Sequence, residues 1–170
     1  MRTYGLAVLA IVSLIAGVSV RAAGGDAKEV AVTKDLEAFK GSWRLISREV
    51  DGKKFSEEEI KDMIVTHDGS GRFSCRRGDK VLGAGTVKLD PTTKPRAIDV
   101  TFTEGEHRGK TGLGIYEIEG DTFRVCHARP GGERPADFSA EVGSGRTLIV
   151  FKRKKNLDSK VDWRVKPALG

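Results

Sequence analysis

Glutamine is absent from this chain, asparagine occurs once (Asn156), and cysteine only twice, in 170 residues. Two cysteines are too few for a disulfide scaffold. With amide side chains almost missing, polar recognition falls to charged and hydroxyl groups, and no N-x-Ser/Thr glycosylation acceptor occurs. The longest apolar run, Leu6–Val20, has 15 residues, short of the roughly 20 that a membrane-spanning helix needs. Local catalytic spacings are missing as well. Gly105…Gly109-Lys110-Thr111 has one residue too few for a phosphate loop and joins two strand-like segments instead of a strand and a helix. Gly69-Ser70-Gly71 and Gly143-Ser144-Gly145 lack the spacing of a nucleophile elbow and read as turns. His67, His107 and His127 stand 20 or more residues apart with no nearby acid at ligand spacing, so they read as surface or core residues and no metal or cofactor is expected. These absences point away from an enzyme.

What is present begins with an address. One Arg in the first five residues, the short apolar run, and Val20-Arg21-Ala22 form the pattern of a signal peptide over 1–22. Export to the periplasm or the extracellular space follows, with a retained anchor as the alternative. No Cys lies near the junction to carry a lipid. The hydrophobic share of 38% is enough for a packed core in one domain.

The net charge of +6 invites a nucleic-acid reading, but the charge is uneven. Removal of 1–22 leaves +4, and the segment after Phe151 holds seven basic residues against Asp158 and Asp162. The body is therefore close to neutral, which excludes a nucleic-acid binder. The basic tail (155–170) is either solvated or a weak contact for an anionic envelope surface.

Between these ends, short strands dominate. Candidates are 42–50, 62–67, 72–77, 80–89, 96–104, 110–119, 122–129 and 146–154, separated by turn signals such as Gly78-Asp79, Asp90-Pro91, Gly120-Asp121 and Pro130-Gly131-Gly132. No connection suits a parallel crossover except that holding Ser56-Glu57-Glu58-Glu59, a capping box opening a helix toward Ile60, Met63 and Ile64. A second short helix is expected over Thr33–Lys40, with Thr33 as N-cap and Gly41 as terminator; residues 23–34 read as a linker. The pattern predicts an all-β fold: an antiparallel sandwich or an up-and-down barrel. A disulfide between Cys75 and Cys126 suits an oxidising compartment, but strand parity sets Cys75 in step with Phe73 and Cys126 out of step with Phe123 and Val125 unless a bulge intervenes.

Three stretches carry a resemblance. Asp35–Trp43 with Val50-Asp51-Gly52-Lys53 resembles the Gly-x-Trp opening of lipocalin-like barrels. Leu89-Asp90-Pro91 with Lys94–Asp99 follows, and then Gly114–Cys126 with Pro130-Gly131 and Arg134–Phe138. Together they are similar to an exported lipocalin-like domain of unknown function found in planctomycete bacteria. The resemblance covers 35–154 and implies an antiparallel eight-stranded up-and-down barrel with one or two short helices. It implies that Trp43 closes one end of the barrel under Lys152 or Arg153. Arg134 then either ties its loop to a carboxylate or meets an anionic ligand at the mouth, and Tyr116 and Arg124 are further ligand-binding candidates. The function expected is a non-enzymatic, monomeric binding module for a small molecule. The alternative is an envelope-interaction protein with a filled barrel, acting through its surface or tail.

Overall fold

The computed structural model describes residues 23–155. The signal peptide expected over 1–22 and the tail from 156 onward lie outside the described residues. A helix, α1 (Ala23–Phe39), leads into β1 (Gly41–Val50), β2 (Lys53–Lys54), a one-turn helix α2 (Glu57–Ile60), and then β3 (Met63–His67), β4 (Arg72–Arg77), β5 (Lys80–Asp90), β6 (Arg96–Glu104), β7 (Thr111–Glu119), β8 (Thr122–Ala128) and β9 (Arg146–Arg153).

Neighbouring strands pair antiparallel in chain order from β3 to β9. β1 closes the ring by pairing with both β3 and β9, while β2 extends it as a two-residue flap on the end of β1. The result is a closed eight-stranded up-and-down barrel, which leaves no free edge along its wall.

Both helices differ from their sequence expectation. α1 starts ten residues before Thr33, so 23–34 is helical and not a linker. Ala27, Lys28 and Glu29 are good helix formers and no proline interrupts them, but Gly24 and Gly25 ahead of them are poor ones, so local propensity alone does not start the helix at Ala23. Cross-ties hold it to the barrel: Lys28 Nζ lies 2.5 Å from Asp90 and Asp35 lies 3.2 Å from Arg96. Gly41, at φ +114°, ends it. α2 has the capping box: Ser56 Oγ accepts from the Glu59 amide and the Glu59 carboxylate accepts from the Ser56 amide. It stops at Ile60, and Met63 and Ile64 belong to β3 instead.

Alternation along the strands fills the closed half of the barrel. Phe39 from α1 enters the ring and meets Phe123 at 5.1 Å and Tyr116 at 5.3 Å. Phe123 stacks on Phe151 at 4.4 Å and takes the Trp43 ring edge-on at 4.9 Å. Packed aromatic pairs of this kind each add about 0.5–1.5 kcal/mol beyond the area they bury.

Two irregularities shape the other half. A bulge between Leu45 and Ser47 inserts one residue against β9, so that Leu45 pairs with Phe151 while Arg48, not Ser47, pairs with the lumen-facing Ile149. Gly85 on β5 lies beneath the Phe73 ring, where a Cβ would sit 2.8 Å from that ring.

The connection from β8 to β9 (129–145) lies flat on the outer face. It buries Ala140, and Gly52 at φ +81° leaves room where any Cβ would strike Val142.

Candidate functional site

Trp43 and Arg153 come together at the closed end. The last carbonyls of a helix have no partner within it, and the two side chains supply what α1 lacks. Trp43 Nε1 donates to Phe39 O at 2.7 Å, and Arg153 donates to Ala38 O at 2.7 Å and Lys40 O at 2.8 Å. The guanidinium lies 3.9 Å over the indole ring, an arrangement that adds cation–π attraction. A cation also suits the negative end of the helix dipole. Lys152, the other basic candidate, points outward and is exposed.

Beyond this plug the side chains leave a cavity of about 330 Å³ in the lumen. Phe39, Phe123 and Phe151 make its floor, and Val65, Val100 and Phe102 line its wall. It extends toward the opposite end as far as the β6–β7 connection at Gly105–His107.

Few polar groups break the apolar surface, and all three histidines of the chain are among them. His67 is 6% exposed, packs between Phe39 and Phe73, and its Nδ1 is buried with no hydrogen-bond partner. Desolvation pulls its pKa down to about 4, only partly opposed by Asp68, so the ring is neutral at pH 7. His127 is also lowered, first by burial, and its Nδ1 lies 3.3 Å from Ala128 O, to which it donates. His107 stands edge-on to Phe102 at 5.6 Å. Arg48 faces the same space with its Nε buried and unpartnered, and its guanidinium lies 4.7 Å from the Phe55 ring centroid.

The ligand-binding candidates from the sequence stand elsewhere, and none of the three lines the cavity. Tyr116 is 1% exposed and spends its hydroxyl on Asp35 of α1, at 2.7 Å; burial and that carboxylate push its pKa up. Arg124 faces outward, paired with Glu117 at 2.6 Å and stacked 4.1 Å over Phe138. Its parity decides this, since Phe123 and Val125 on either side point into the lumen. Arg134 ties the 129–145 connection to the outer wall by donating to Ile98 O (3.0 Å), Gly114 O (2.5 Å) and Asp99 (2.6 Å).

The two cysteines are free thiols on opposite faces of the wall and do not form a disulfide with each other. Cys75 lines the lumen. Cys126 faces out beneath the connection and donates to Ser139 O at 3.3 Å. Burial raises both pKa values, Cys126 to about 11, which disfavours a thiolate nucleophile. Among the described residues no group of three or more His, Cys, Asp or Glu is arranged to hold a metal ion. No helix among them is long and apolar enough to cross a membrane.

Sequence reasoning missed Arg48, His67, His107 and His127 as neighbours of one cavity. For His67 a signal existed: it alternates in step with Val65 on a strand that ends at a Gly/Ser turn. For Arg48 none existed, because only the bulge turns it inward.

The closed antiparallel ring, the helix leading into it and the filled floor define an all-β, lipocalin-like barrel. No family model, no curated protein and no solved structure matches the chain.

Proposed function

We propose that this barrel is a binding module, exported by its leader, that holds one small and largely apolar molecule in its lumen without acting on it chemically. The observation that carries this reading is the cavity of about 330 Å³, within the range of roughly 300–1,000 Å³ common to small-molecule sites. Its chemistry fits the same reading: apolar walls give affinity and a few polar atoms fix orientation. An unsatisfied buried donor or acceptor costs about 1–3 kcal/mol, and His67 Nδ1 and Arg48 Nε are two such atoms facing one space. A guest that bonds to them recovers that cost. The alternative, an envelope-interaction protein with a solid core, needs a lumen filled by side chains, and the empty volume argues against it.

Native mass spectrometry of the protein purified from its own host tests the proposal. One small-molecule adduct per chain is expected, and Val100→Trp, which fills the lumen, is expected to remove it. A bare chain that also takes up no apolar dye would sink the reading.

A further inference from the structure

We infer that the lumen is built for an apolar molecule ending in a carboxylate, with the head group received by Arg48; this rests on reading the lumen as a binding site. Arginine is charged at any physiological pH and its planar fork matches the two oxygens of a carboxylate. In this barrel that fork has no protein anion. Among the described residues Arg48 is one of several arginines outside any ion pair, but it is the only arginine that lines the cavity, whereas Arg72, Arg96, Arg124, Arg134, Arg146 and Arg153 each lie within 4.0 Å of an acidic oxygen.

The topology explains why. Glu104, the acid on the cavity wall, belongs to β6, which is four strands from β1 in either direction around the ring. Arg48 and Glu104 therefore stand on opposite walls. Glu106, at the rim, is exposed to solvent. Burial keeps His67 and His127 neutral, so they offer hydrogen bonds and no competing charge.

The guanidinium is also held in place. Phe55 donates its backbone amide to Arg48 O at 2.9 Å and sets its ring beneath the Arg48 head group. Lys53 Nζ lies 5.3 Å from the centroid of the same ring, so a second cation reinforces positive potential on this side of the mouth. Phe55 positions the fork, and among the described residues no acidic group meets it.

Volume sets the scale of the tail. At about 30 Å³ per water-sized group, 330 Å³ accommodates on the order of ten non-hydrogen atoms. That suits a medium-length chain or a single ring system with its acid.

Titration calorimetry of the full chain at pH 7.5 with octanoate, octan-1-ol and octylamine tests the head group at constant tail. Octanoate is expected to bind one per chain, at least tenfold more tightly than octan-1-ol, with octylamine weakest. Arg48→Met should bring octanoate and octan-1-ol within about threefold of each other, and Arg48→Lys should fall between. Circular dichroism checks that the variants fold; should they not, the wild-type series decides alone. Octan-1-ol or octylamine binding as tightly as octanoate overturns the head-group inference and leaves the lumen reading standing. Binding of none of the three overturns both.

Discussion

Replacing Arg153 with methionine keeps the aliphatic stem that lies along Trp43 and removes the guanidinium. Two hydrogen bonds disappear, to Ala38 O and Lys40 O, and the carbonyls at the end of α1 lose their donors. Hydrogen bonds from a charged donor contribute about 1.5–3 kcal/mol each. The side chain is 29% exposed, so water replaces part of what is lost, and the lower end of that range applies. The pair with Asp121 at 3.8 Å adds little, because its partner is 41% exposed and shared with Lys155. The sum is a loss of about 3 kcal/mol, or roughly 10 °C in midpoint for a domain of this size. Urea unfolding followed by far-UV circular dichroism measures it, with the midpoint expected to fall and the slope unchanged. Lys152→Met, one residue away and pointing outward, is the control and should cost less than about 0.5 kcal/mol. A loss under about 1 kcal/mol for Arg153→Met, or an equal loss for Lys152→Met, would refute the view that Arg153 caps α1 against the barrel.

Two further outcomes follow from the same structure. His67 has its folded pKa depressed to about 4 against an ordinary 6.5, so the unfolded chain binds the extra proton first. Stability should be full above pH 6.5 and fall by about 3 kcal/mol as pH drops from 6.5 to 4; denaturation midpoints across that window should flatten in His67→Phe, and an unchanged slope in that variant would contradict the assignment. Arg134→Ala should release the 129–145 connection at a cost of about 2 kcal/mol, seen as faster amide exchange at Ala140, with octanoate affinity unaltered; a large loss of affinity would return Arg134 to the binding site.

The strand plan was legible because every strand is half-buried and ends at a turn residue with a physical reason to be there. Each of the eight expected segments lies within one residue of an observed barrel strand, since alternation along a barrel wall and the Gly-Asp and Asp-Pro turns are local features. The helices were less legible. α1 extends further back than Thr33 because its stability comes from Lys28–Asp90 and Asp35–Arg96, contacts about sixty residues apart in the chain. The binding candidates suffered from the same cause. Tyr116 is buried on β7, and only the docking of α1 assigns its hydroxyl to Asp35. Arg124 shares the outward parity of Cys126, between the lumen-facing Phe123 and Val125.

Sequence by itself determined an antiparallel strand meander, its turns, the helix-terminating Gly41, the capping box at Ser56, and the opposed faces of Cys75 and Cys126. All of these depend on neighbours a few residues apart. The tertiary structure alone decided that the meander closes by β1 meeting β9, that a bulge after Leu45 turns Arg48 into the lumen, and that three scattered histidines face one cavity. Closure brings together residues more than a hundred positions apart, and a one-residue bulge reverses side-chain facing without leaving any mark in composition. The strands could be read from the chain, but the cavity they enclose exists only once the ring is shut.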